Sequence, residues 1–451
     1  MLGIRYLGNT HIPHYKKTAA LASIDLPTPS SILLPMLQHI GAPATPVVSP
    51  GDTVKVGQKV AEASGFVSSP IYSPISGKVE KFEEILRADG RKVQAIRITS
   101  DGEMSVHESV QPKNINSIDD LINAARESGV VGLGGAGFPL AVKLDVLRKD
   151  TIDTVILNGA ECEPYITSDT RTMIDRARDV REGIELLIKT ATAVKQYVIG
   201  IEKNKPEAIR VMRETFKDMP NVFIKPLPPR YPQGAEKVLI YNTIRRVVPE
   251  GKLPSDVNVL VLNITSMAVL AKYCRTGMPL VRKAVTLDGS AVASPKNIKA
   301  PIGTSIKEII EFGGGTVGEV GKILLGGPMM GSAVASTDEP IIKTTGAITI
   351  LSKKDAELPE ETACIHCGRC ANSCPHLLKP LLFSDALENP DKEERIKILE
   401  KNRIMLCVEC GSCSFVCPAG RPLVLNNKLA KAEFREYLAE KKKREEDAKN
   451  G

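Results

Sequence analysis

A cysteine pattern written twice near the end of the chain constrains it more than any other feature. Cys364-Ile-His-Cys367-Gly-Arg-Cys370-Ala-Asn-Ser-Cys374-Pro375 and Cys407-Val-Glu-Cys410-Gly-Ser-Cys413-Ser-Phe-Val-Cys417-Pro418 both follow C-x₂-C-x₂-C-x₃-C-P. The copies begin at 364 and 407, 43 residues apart. In this spacing the first three thiolates wrap one face of a cubane. The fourth starts a helix that points away, towards a second cluster. The pattern therefore predicts two [4Fe–4S] clusters with crossed ligands. Cys364, Cys367, Cys370 and Cys417 hold one, and Cys407, Cys410, Cys413 and Cys374 hold the other. Four-cysteine zinc sites instead use two separated C-x₂-C pairs. Gly368 and Gly411 free the backbone to approach the sulfides, and Pro375 and Pro418 suit first helical turns. His366 and His376 border the first motif. The apolar positions between the motifs predict linking helices, hence an α-helical ferredoxin domain.

Eight of the ten cysteines lie in this region, and the N-terminus lacks the apolar core of a signal peptide. That density reads as metal ligation rather than a disulfide framework. Cys162 and Cys274 stand apart and are expected to be buried or incidental thiols.

A glycine-rich stretch comes next in weight: Gly129-Val-Val-Gly132-Leu133-Gly134-Gly135-Ala-Gly137-Phe138-Pro139-Leu-Ala-Val-Lys143. Bare backbone of this kind can approach a phosphate or a flat ring and offer N–H donors, and Lys143 adds a cation. Gly132, Gly134 and Gly137 satisfy G-x-G-x-x-G, but no strand precedes them, so a structural turn remains open on spacing alone. Downstream, Thr154–Asn158 reads as a buried parallel strand ending in Gly-Ala-Glu161-Cys-Glu163-Pro. Further strands are expected at 196–202, 222–226 and 258–263, and helices at 117–128, 172–190, 206–216 and 234–244. This alternation predicts a Rossmann-like α/β domain with ligands at the strands' carboxyl ends.

GLGGAGFPLAVK followed by NGAECEP resembles the flavin- and NADH-binding subunit of respiratory complex I. The resemblance implies FMN held by Gly132, Gly134, Gly135, Lys143, Asn158, Glu161 and Asn263, with NAD(H) contacted by Phe138 and Glu163. It departs at Leu133, where that family has Arg, and at Ala160, where it has Asp. It departs again at Tyr231-Pro-Gln-Gly234-Ala235-Glu236, a partial match to Tyr-x-x-Gly-Glu-Glu.

The short β runs and turns before residue 112 resemble biotinyl and lipoyl carrier domains, an expected barrel-sandwich hybrid. The stretch 63–72 has no carrier lysine, which points to docking rather than a swinging arm. Residues 285–315 resemble a β-grasp domain of the soluble-ligand-binding type. The expected multidomain α/β plus β layout is 1–112 sandwich, 113–265 FMN/NADH domain, 266–350 β-grasp, 351–430 ferredoxin domain and 431–451 exposed charged tail.

That order, with His11-Ile-Pro-His14-Tyr-Lys-Lys and Leu37-Gln-His39-Ile-Gly41, resembles the C-subunit family of Rnf ion-translocating electron transport complexes. The resemblance implies a peripheral subunit on the cytoplasmic side of the inner membrane. It would exchange electrons between NAD(H), FMN and the two clusters. Its partners would be integral membrane and ferredoxin-like subunits, and they alone would attach it to the membrane. A soluble cobalamin reductase and an electron conduit with a decayed flavin site are the alternatives. With no Trp, 4% aromatics and a net charge of +7, the chain is not expected to bind nucleic acid.

Overall fold

The computed structural model describes residues 10–135 and 137–450. The first nine residues of the expected sandwich, Ala136 of the glycine stretch and Gly451 of the tail lie outside it. The chain divides into two compact units. The larger holds residues 14–228 and 254–356, the other 1–13, 229–253 and 357–451.

The larger unit begins with two small antiparallel sheets. One runs Ser31–Pro35, Lys92–Ser100, Gly77–Leu86, Thr53–Val54, and the other Thr45–Pro46, Lys59–Glu62, Ile71–Tyr72. Ile32, Leu34, Val54, Val60, Ile71, Val79, Ile96 and Ile98 lie in one shared core.

Next comes a parallel four-stranded sheet, ordered Val222–Leu227, Gln196–Glu202, Thr154–Gly159, Val259–Asn263. Its central strand buries Thr154 to Leu157 without alternation, as a parallel sheet covered on both faces requires. In chain order the strands lie 3-2-1-4, so the winding reverses between Thr154–Gly159 and Val259–Asn263. Ligands in doubly wound sheets sit at the carboxyl ends of such a pair. The helix expected over 172–190 is two helices, Ser168–Asp175 and Ala177–Thr190. Arg176 breaks them at φ −129°, ψ 31°. Its guanidinium is held by Asp179 Oδ2 at 2.8 Å and Ala268 O at 3.2 Å.

The unit closes with a six-stranded mixed sheet, ordered Ile24–Asp25, Lys296–Pro301, Arg282–Asp288, Ala347–Ser352, Val320–Leu325, Ser332–Ala333. Helix Ile306–Phe312 packs on it, opened by a Ser305/Glu308 capping box.

The second unit is helical. Pro380–Glu388, Lys392–Lys401 and Leu423–Asn450 enclose Leu378, Phe383, Ile396, Leu399, Ile404, Ala430 and Phe434. The tail expected to be exposed is therefore core over its first turns, and Glu433 there pairs with Arg395 at 2.7 Å. Helix Glu236–Ile244, which the sequence placed in the α/β domain, belongs to this unit, as does the Thr10–Tyr231 bridge. Glu250 pairs with Arg403 at 3.6 Å. Among the described residues no helix is long and apolar enough to cross a membrane.

Candidate cofactor sites

In the larger unit, candidate residues gather where the sheet's winding reverses. Asn158 and Asn263 stand opposite each other at the ends of neighbouring strands. Asn263 caps helix Ile264–Thr276 by accepting from Ser266 N at 3.0 Å, and its Nδ2 donates to Asp169 Oδ2 at 2.9 Å. The glycine loop rests on this cap. Leu133 N donates to Ser266 Oγ at 2.9 Å, and a Cβ on Gly134 would stand 2.7 Å from Asn263 Nδ2. Because Asp169 and Ser266 pin Asn263, only glycine fits at 134. Gly134 and Gly135 are exposed, Gly135 has φ +119°, and nothing comes within 4 Å of its Cβ position. Gly132 differs, since its amide is spent on Phe138 O at 2.8 Å.

Glu161 sits just past the first strand at φ 48°. Its carboxylate accepts from Asp169 N at 2.6 Å, Thr170 N at 3.1 Å and Thr170 Oγ1, which covers the first amides of helix Ser168–Asp175. Desolvation pushes this carboxyl above the usual range, and the Lys16 ammonium pulls it back. Asn158 Oδ1 accepts from Ala160 N at 3.1 Å. Two candidates turn elsewhere. Lys143 Nζ donates to Val261 O at 3.1 Å, and Glu163 Oε2 accepts from Met329 N at 3.2 Å, in the Gly326–Gly331 turn of the third sheet. Phe138 is half-buried beside them in sequence.

Three lysines that sequence reasoning missed grip these loops by their carbonyls. Lys16 Nζ donates to Glu161 O at 2.9 Å, Glu163 O at 2.7 Å and Ile166 O at 2.5 Å. Lys283 Nζ donates to Leu133 O at 3.2 Å, so a cation meets the residue where the complex I family has arginine. Lys343 Nζ donates to Gly129 O at 2.8 Å, Pro70 O at 2.5 Å and Ser69 Oγ at 3.0 Å. Desolvation pushes Lys16 and Lys283 down to about 8 and Lys343 to about 7. Once unfolded, Lys343 titrates near 10.5. Between about pH 7 and 10.5 the unfolded chain thus binds more protons, so stability rises with pH across this window and is flat below it. Against a Lys343→Met variant, the wild type gains about 1.4 kcal/mol per pH unit between roughly pH 8 and 10, read from denaturant unfolding.

In the second unit the two cysteine loops wind alike. His366 and Glu409 take φ 52° and 55°, and Gly368 and Gly411 take 70° and 80°. Successive left-handed turns bare the amides around each loop. The structure gathers the thiols into two groups across the motifs. Cys374, Cys407, Cys410 and Cys413 line one small cavity, with His376 on its wall. Cys364, Cys367, Cys370 and Cys417 line a second, more open pocket. Among the described residues no three such ligands converge on a single-ion point. A zinc site needs four sulfurs within about 2.3 Å of one centre, and no such group stands among the described residues.

Family models match four stretches: RnfC barrel sandwich hybrid domain at 4–103, Nuo51 FMN-binding domain at 125–272, SLBB domain at 284–333 and 4Fe-4S dicluster domain at 360–421. The C subunit of the proton-translocating ferredoxin:NAD(+) oxidoreductase complex of Clostridium ljungdahlii is 41% identical, over 84% of this chain and 83% of its own. The C subunit of the Na(+)-translocating complex of Acetobacterium woodii is 39% identical over 97% and 98%. That of the ion-translocating oxidoreductase complex of Rhodobacter capsulatus is 36% identical over 96% and 84%. An NAD+-reducing [NiFe]-hydrogenase in its H2-reduced state superposes with a TM-score of 0.50 at 16% identity, covering 69% of this chain and 60% of that one. This likeness shows shared fold.

Proposed function

Because the chain belongs to the C-subunit family of ion-translocating ferredoxin:NAD+ oxidoreductase (Rnf) complexes, we propose that it exchanges electrons between NAD(H), FMN and two [4Fe–4S] clusters as a member of such a complex. The observation that carries this reading is the bare Gly134–Gly135 loop packed on the Asn263 cap, in the same chain as two crossed cysteine tetrads. Bound FMN supplies the conversion between a two-electron hydride donor and the one-electron clusters.

The protein's part is binding and orientation. Gly134 and Gly135 let a flat anionic cofactor approach the backbone, with Gly132 shaping the turn. Asn158, Glu161 and Asn263 supply the polar edge at the strand ends, and Lys143 supplies charge below it. Phe138 and Glu163 face the nicotinamide dinucleotide, which requires Glu163 to exchange the Met329 amide for the ligand. The eight motif cysteines hold the clusters. The first 112 residues serve docking, and the sheet from 266 to 350 is read as a β-grasp domain of the soluble-ligand-binding type. The ferredoxin domain runs from 351 to 430, supplemented by 229–253 and the start of the tail helix. Membrane association comes through partner subunits, on the cytoplasmic face.

The test is anaerobic: chain with reconstituted clusters and added FMN, titrated with NADH. Bleaching of both the flavin band and the broad cluster absorbance is the expected result. No bleaching with bound flavin and about eight irons per chain would leave a conduit fed by another donor.

A further inference from the structure

The two cysteine cavities are not electrically equivalent, although their loops repeat. Cys410 and Cys413 are each 8% exposed, whereas Cys367 in the other group is exposed. A reduced cluster carries one more negative charge, so burial in an apolar cavity disfavours reduction and lowers the potential. Hydrogen bonds to the sulfurs act in the opposite direction, because they stabilise the more negative state.

Side-chain groups able to donate stand at the buried group. Asn427 Nδ2 stands 3.9 Å from both Cys407 Sγ and Cys413 Sγ, on a residue only 1% exposed. Ser412 Oγ stands 3.5 Å from Cys410 Sγ, on another residue 1% exposed. Ser412 occupies the place that Arg369 holds in the first motif, so the duplication is broken there. Lys431, one turn beyond Asn427, donates to Cys407 O at 2.5 Å and pairs with Glu409 at 2.9 Å. At the open group the contacts come from backbone amides, His366 N to Cys364 Sγ at 3.4 Å and those of Ala371 and Leu381 at Cys370.

Ligation decides which way these groups point. Turned over, the Asn427 amide would set its nitrogen 3.3 Å from Pro380 O and 3.0 Å from Leu423 O, leaving its oxygen at the sulfurs. That suits free thiols, which donate. An iron-bound thiolate only accepts, so ligation favours the amide nitrogen and the Ser412 hydroxyl hydrogen at the sulfurs, against the cost of setting the Asn427 oxygen beside the Pro380 and Leu423 carbonyls.

We propose that Asn427 and Ser412 set the reduction potential of the Cys374/Cys407/Cys410/Cys413 cluster, offsetting its burial by donating hydrogen bonds to three of its four sulfurs. This rests on the two-cluster reading above and adds unequal tuning to it.

The test is an EPR-monitored redox titration of the cluster-loaded full chain. In Asn427→Leu and in Ser412→Ala, one of the two midpoint potentials falls while the other holds. Asn427→Asp keeps the shape but only accepts, so it lowers the same potential, and it serves if the leucine variant fills poorly. An unchanged potential with about eight irons present overturns the tuning and leaves the two-cluster reading intact. So does a rise, which would place the amide oxygen at the sulfurs, or an equal shift of both clusters. A wild-type chain that never holds two clusters fails the underlying reading instead.

Discussion

In a Cys374→Ala variant, iron falls from about eight to about four per chain, because one cubane loses its fourth thiolate. The informative experiment is the pair of double variants. Cys374 lines the same cavity as Cys407, Cys410 and Cys413. Cys374→Ala with Cys407→Ala therefore removes the same cluster twice, and iron stays at about four. Cys374→Ala with Cys370→Ala strips both sites, and iron approaches zero. If each motif instead ligated its own cluster, the two results would be exchanged. Iron analysis and the visible spectrum read this without any activity assay.

The second large effect is expected at Lys16. Its ammonium satisfies three carbonyls of the loop that carries Glu161 and Glu163. Lys16→Met leaves those acceptors without it, at about 1–3 kcal/mol for each that water does not reach. A loop relieved of that hold releases Glu161 from the helix start it covers. The expected outcome is loss of FMN retention on gel filtration, with iron still near eight per chain, because the cysteines belong to the other unit. Lys16→Arg keeps the cation and restores part of the retention. Full retention in Lys16→Met would show that the loop keeps its shape by its other contacts.

The grouping of the thiols was legible because the pattern is local, three on one short loop, and their crossing follows from the direction of the fourth. The parallel strands were legible for a similar reason, since Val155-Ile-Leu157 and Val259-Leu-Val-Leu262 are unbroken apolar runs. Contacts between distant stretches were not legible. Lys16, Lys283 and Lys343 reach loops 145, 150 and 214 residues away in sequence, and nothing near any of them marks it as buried. Asp169, Thr265 and Ser266 lie close to named candidates, and the polar run Asn263-Ile-Thr-Ser266 carries the signal of a helix cap. The tail reads as solvated because Lys and Glu dominate its composition. Its apolar core position, Phe434, is too little to outweigh them.

The path of the chain between the units has a consequence for how this protein can be taken apart. It passes from one unit to the other at 13/14, 228/229, 253/254 and 356/357. Residues 357–451 are thus not a detachable cassette, although all eight motif cysteines lie within them. A graft of that stretch onto another protein would lack helix Glu236–Ile244, whose Val238, Leu239 and Ile240 are buried, and the glutamate that pairs with Arg403. A transplant of the complete unit must carry three separate pieces of chain, so it cannot be made as one continuous insertion.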